Sequence, residues 1–522
     1  PLPRPTFSPL VIERTFLGWD EPALPAAARR LADAHLDGDA PSPDDAVVVL
    51  PGARAGRRLR ELLLEEGERR GASLPPPRTA TVGALPELLY EPDRPLAGGL
   101  LARRTWAAAL RSVPADLLGA VFPEPPEADD LTGWSRLARV VARLNRELAR
   151  EGHRFRDVAE RCASDPDLED GRRWEALARA QEGWLERLEG LGVADRHEAR
   201  RRALADGRIS ADGPVWLVGV VEIPGVARAM LRAVDAPVRA LVHAPAELAD
   251  GFDGLGAVRP EVWIDRETEL PPTRVCGRPP AQARAALSAL SGGGRALAPD
   301  EVTVGVPNEE VVPHLSERLE EHGVPHRDAA GTPLEETPPY RLLEAVAGYL
   351  DGRRFHDLAG LARHPDLGRL LDVPLEHLDE YFEEHLPQRT GELPLAASRR
   401  AEETGRLVAS VRETLGLDGL RGRRRLDEWM EPAVGVLEGV YGDREVDRSR
   451  PADRRLAEAC SRIADAAGSV AELPEEAAPE CTAATALRLL LAEVRDEAIP
   501  PEPVRPAVEM LGWLELHLDD AP

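Results

Sequence analysis

The sequence predicts an α/β protein of two parallel-sheet domains, each carrying a large all-helical insertion. Three observations lead there. Short apolar runs occur at 46–50, 215–220, 238–242 and 302–306, which is how strands buried on both faces read. Two long stretches, 100–205 and 341–495, show apolar residues at helical spacing only. Strand-like runs lie on both sides of the first stretch and ahead of the second.

The first run, Ala46-Val47-Val48-Val49-Leu50, ends at Pro51-Gly52. A helix is expected from about 55 to 70, with Leu59, Leu62 and Leu63 on one face and charges on the other. Within 100–205, Trp106, Leu110, Trp134, Leu137, Leu144, Trp174, Leu177, Trp184 and Leu188 follow helical spacing along successive helices. Strand character returns at 215–220 and 238–242, and an Asp/Pro-rich stretch leads to a helix over 281–291. The run at 302–306 precedes a helix over 311–322. Residues 341–495 are helical, broken by Gly, Pro and acidic loops such as 472–480, and 509–518 return to a mixed apolar pattern. The expected division is therefore 1–98 and 209–268 around an insertion at 99–208. A second domain, 269–350 with 501–522, surrounds an insertion at 351–500.

At 522 residues, 43% hydrophobic and 30% charged, the chain has the composition of a globular protein with a sizeable core. It contains no run of 18 uncharged apolar residues, so no membrane partner is expected. The first residues show no basic segment followed by an apolar one, so no secretory signal is read and a cytoplasmic address is expected. Residue 1 is Pro, and the last four are Asp519-Asp520-Ala521-Pro522. Both ends read as cut, which predicts a fragment. Cys162, Cys276, Cys460 and Cys481 are scattered with no Cys-x-x-Cys pair, the pattern of isolated thiols and not of a zinc ribbon.

A net charge of −26 argues against a uniformly basic nucleic-acid binder and leaves room for a local arginine-lined channel. All 66 basic residues are arginine; the chain has no lysine. A phosphate-binding P-loop needs a lysine to reach the β- and γ-phosphates, and Schiff-base chemistry needs one as nucleophile. Both are excluded.

The order of elements resembles the UvrD-type superfamily-1 helicases, and more closely the AddB or RexB subunit of bacterial helicase–nucleases. The segment AVVVLPGARAGRRLRELL (46–63) resembles that group's motif Ia, and TATVGALPELLY (79–90) its motif Ib. WLERLEGLGVADRHEA (184–199) is similar to the helix leading into a Walker B strand, and 301–343 to the start of the second motor domain around motif IV. The resemblance implies two RecA-like domains and a role in double-strand-break repair and recombination. It also implies DNA as partner (a single strand or a duplex end), an AddA-type helicase–nuclease subunit, and a carboxy-terminal nuclease domain using magnesium that this chain lacks.

The departures from that pattern matter most. Where an active motor places its Gly-Lys loop, this chain reads Phe16-Leu17-Gly18-Trp19-Asp20-Glu21-Pro22. Where Walker B ends in two carboxylates, Leu217-Val218 is followed by Gly219-Val220, and the motif IV arginine is replaced in the Val306-Pro307-Asn308 region. No catalytic residues, metal or cofactor are therefore expected in this chain, and no ATP hydrolysis.

The DNA-contact candidates are Gly52, Arg54, Arg57 and Arg58 in the motif Ia-like loop, with Thr81 and Gly83 in the motif Ib-like segment. Arginines and backbone amides at a helix start can bond phosphates. Their ordinary reading is a solvent-facing helix start and a simple turn. His377, Glu380 and Glu384 lie at helical spacing, which a charged helix face explains as well as a metal site. Ser291-Gly292-Gly293-Gly294-Arg295 follows a helix and reads as a linker, and the tryptophans read as core. The alternatives to an inactivated-helicase scaffold are an active helicase subunit, a two-Rossmann-domain transferase and a purely helical adaptor.

Overall fold

The computed structural model describes residues 12–36, 46–165, 167–168, 170–267, 271–292, 297–371, 375–390, 399–502 and 506–521. Residues 1–11 of the amino-terminal segment read for a signal, and most of the Gly-rich linker, lie outside these residues.

Five strands form the first sheet: β1 (Glu13–Phe16), β2 (Val47–Leu50), β3 (Arg78–Thr81), β4 (Val215–Val218) and β5 (Val238–Val242). All pairings are parallel, in the order β1-β5-β4-β2-β3. β2 and β4 are buried along their whole length, because side chains alternate between two covered faces. Val48, Leu50, Trp216 and Val218 pack against α1 (Ala23–Leu36) and α2 (Ala53–Arg70). Val47, Val49, Val215 and Leu217 face the opposite way, onto Leu85, Leu89, Ala199, Met230 and Leu231. α2 ends where Gly71 turns left-handed at φ 65°, a conformation glycine adopts without a Cβ clash.

The helical stretch between β3 and β4 comprises α3 (Gly99–Arg111), α4 (Ala115–Leu118), α5 (Leu131–Arg150), α6 (Phe155–Ser164), α7 (Gly171–Gly190) and α8 (Arg196–Ala205). Its core is aromatic: Trp106 stacks on Trp184 at 4.3 Å, with Phe155 edge-on. α9 (Gly225–Ala233) then links β4 to β5.

A second parallel sheet has β12 (Val508–Gly512) at its centre, between β6 (Thr303–Val306) and β7 (His326–Asp328). The helices Pro279–Gly292 and Val312–Glu321 cover it through Ala283, Leu315 and Leu319. A long helical stretch enters and leaves through a two-stranded antiparallel clasp, β8 (Thr332–Pro333) with β11 (Ala498–Ile499). Its core takes in Tyr340, Leu342 and Val346 from the helix Pro338–Gly352, so helical packing begins ahead of residue 351. The stretch is not wholly helical: β9 (Arg423–Arg425) pairs antiparallel with β10 (Glu480–Thr482). There the Trp429 indole donates to the Cys481 carbonyl, which ties the paired strands to the helical core.

Two contacts brace the chain. The helical stretches meet where Arg103 and the buried Arg104 converge on Glu493. The turn Trp513–Leu518 after β12 reaches the first sheet and buries Leu518 against Val218 and Leu50.

Candidate nucleic-acid interface

β2 and β4 are neighbours, yet the helix after β2 leads outward to β3 on one face while α9 leads the other way to β5 on the opposite face. That is a topological switch point, where loops diverge and leave a crevice at the carboxyl ends of the strands. The crevice lies between Pro51-Gly52 and Gly219-Val220.

Gly52 caps α2 in an extended conformation, with no side chain to occupy the space above the helix start. A Cβ there would stand 3.2 Å from a Glu515 carboxylate oxygen. Gly219 turns left-handed at φ 58°, and a Cβ on it would strike the Leu518 side chain at 2.6 Å. Its carbonyl lies 3.3 Å from His517 Nε2. The turn Trp513–Leu518 therefore covers the carboxyl end of β4.

From this point a cleft of about 920 Å³ opens between the two sheets. Arg54, Arg57 and Arg58 line one side and Arg327 the other, interleaved with Glu61, Asp300, Glu509, Glu515, Asp519 and Asp520. Arg54 donates to Asp519 at 2.8 Å. Arg58 forks onto one Asp520 oxygen at 2.9 and 2.7 Å and also reaches Glu61 and Glu65. Burial opposes the Arg58 charge, but the hydrogen bonds it donates to Asp520 and Glu61 overcome it and hold its pKa above the ordinary arginine value. Arg327 pairs with Glu509. Arg57 is exposed and forms no ion pair among the described residues.

Neither a family model nor a curated protein matches this chain.

The six candidates thus divide. Gly52, Arg54, Arg57 and Arg58 come together at the switch point, but not as three equivalent phosphate contacts, since two arginines already hold carboxylates. Thr81 ends β3 and its carbonyl accepts from Ala84 in a turn. Gly83 is exposed and lines a different cavity, where its carbonyl accepts from Arg200 at 3.3 Å. His377 faces Glu403 at 3.3 Å, and no metal-holding group of His, Cys, Asp or Glu occurs among the described residues. The loop after β1 runs into α1 without a lysine, its Trp19 indole donating to the His243 carbonyl at 3.0 Å.

Sequence reasoning missed Asp519, Asp520 and Glu515. Their signal is faint: an acidic pair just beyond a strand-like pattern. Only the fold brings it some 460 positions back to α2.

Proposed function

We propose that this chain is a motor-shaped scaffold of the AddB type that has lost its ATP site and holds single-stranded DNA during double-strand-break processing. The observation that carries the reading is the position of Gly52, Arg54, Arg57 and Arg58. They stand at the carboxyl end of β2, beside the switch point, facing a cleft between two parallel sheets. Open parallel sheets bind their ligands at that edge. Arg57 makes the first phosphate contact, and Arg54 and Arg58 join once Asp519 and Asp520 give way. Because those carboxylates compete with phosphate, binding is weak, indifferent to sequence and sensitive to salt.

The lysine-free loop after β1 and the glycine in place of a carboxylate after β4 support a motor without ATP chemistry. In this reading an AddA-type partner supplies translocation, and magnesium belongs to a nuclease domain outside this chain. A live helicase would need the absent lysine. A two-Rossmann transferase would need a diphosphate loop, which the sequence does not offer. The helical adaptor depended on the strands being illusory, and the two parallel sheets remove that condition.

Photo-crosslinking tests the reading. A bromodeoxyuridine-substituted single strand, irradiated with the full chain at low ionic strength, is expected to label peptides spanning 51–58. Crosslinks confined to other surfaces would remove this loop from the DNA path.

A further inference from the structure

A second cavity, of about 500 Å³, lies between the first sheet and its helical insertion. It is lined by Arg103, Arg146, Arg150, Arg196 and Arg200, with Asp195 as the one carboxylate among its lining residues. Two of these arginines are neutralised in place, Arg103 by Glu493 and Arg200 by Glu87. Asp195 is committed as well: it caps α8, accepting from the backbone N–H groups of His197 and Glu198. Arg146 and Arg150, one turn apart on α5, and Arg196, at the start of α8, are exposed at the cavity and form no ion pair among the described residues. Acidic residues outnumber basic ones in this chain, 92 to 66, so three unpaired arginines converging on one cavity are an imbalance that an anion would relieve.

Asn145 adds a neutral donor. It is 95% buried, lines the cavity, and its Oδ1 accepts from Gln181. That leaves its Nδ2 as the donor on the other side of the amide. The electrostatics agree with the geometry, since burial and then Arg200, Arg196, Arg146 and Arg150 push His197 down to about 3. The cavity is positive inside a protein of net charge −26.

We propose that this cavity binds a phosphoryl group, carried by a free nucleotide or by the 5′ end of a DNA strand, held by Arg146, Arg150, Arg196 and Asn145 Nδ2. Guanidinium groups and an amide N–H suit the oxygens of a phosphate monoester, and the volume accommodates a nucleotide-sized ligand. The site is separate from the β2 cleft and does not rest on the DNA reading given for it.

Calorimetric titration of the full chain with thymidine 5′-monophosphate, and separately with a short oligothymidylate bearing a 5′-phosphate or a 5′-hydroxyl, tests the site. Saturable binding of the monophosphate assigns a free nucleotide; tighter binding of the phosphorylated strand than of its hydroxyl twin assigns a strand end. Either result supports the site when Arg146→Gln/Arg150→Gln/Arg196→Gln weakens it by about tenfold or more, as the loss of charge-assisted hydrogen bonds requires. The same triple variant is expected to leave binding of the 5′-hydroxyl strand unchanged, which separates this site from the cleft. Should the triple variant fail to fold, Arg196→Glu alone carries the comparison. Absence of binding by both the monophosphate and the phosphorylated strand overturns the proposal, as does undiminished binding by a folded variant.

Discussion

His197 shows what a residue's setting does to its chemistry. Burial and four arginines hold its ring neutral in the folded chain, down to about pH 3. Unfolded, the ring takes up a proton near 6.5. As pH falls below about 6.5 the unfolded state therefore binds a proton that the folded state refuses, and stability falls with it until about pH 3. Asp195 runs the other way: burial pushes it up to about 6, so the folded state takes its proton first and gains stability as pH drops from about 6 towards 3.8. The two oppose each other in acid, and His197→Gln removes only the first. The melting temperature of His197→Gln relative to wild type is expected to rise as pH is lowered from 7 to 5. A difference independent of pH over that range would show that the ring binds its proton equally in the folded and unfolded chain, and would contradict the account. None of this could be read from the sequence, where His197 is one polar residue in a helix start. Its arginine neighbours come from two helices some 50 positions apart.

At the scale of elements, legibility followed burial in the first sheet; β6, read from its valines as a buried strand, is instead a partly covered edge of the second sheet. β2, β4 and β5 stood out because both faces of the sheet are covered, which enforces apolar runs. β1, with sequence Glu-Arg-Thr-Phe, lies at the sheet edge and is only half-buried, so its polar side chains hid it. β7, His-Arg-Asp, is the edge of the second sheet and is equally polar. The β9–β10 pair escaped notice because one of its strands is three consecutive arginines. α2 was legible from its leucines, and its role can be checked through one of them. Leu59 is fully buried between α2 and the sheet. Leu59→Ala is expected to destabilise the chain by about 2–5 kcal/mol, the usual range for a truncated core leucine. A chemical-denaturation shift below about 1 kcal/mol would mean that α2 is not packed there as described.

For the whole molecule, the bracing between segments was hidden from the sequence. The Arg103–Arg104–Glu493 junction joins residues about 390 apart, and the turn Trp513–Leu518 closes onto glycines at the ends of β2 and β4. Local patterns carry no information about such partners. The bracing changes what the proposed DNA path can do, because Asp519 and Asp520 pair with Arg54 and Arg58. The direct test is the salt dependence of single-strand binding, measured by fluorescence anisotropy of a labelled oligothymidylate from low to moderate ionic strength. For wild type, affinity is expected to fall steeply with salt, by about 0.7 in log K per log salt for each phosphate contact. Arg54→Ala/Arg57→Ala/Arg58→Ala is expected to flatten that slope by up to about 2 and weaken binding. Asp519→Asn/Asp520→Asn, which frees Arg54 and Arg58, is expected to strengthen it. A folded arginine variant whose slope equals that of wild type would contradict the account.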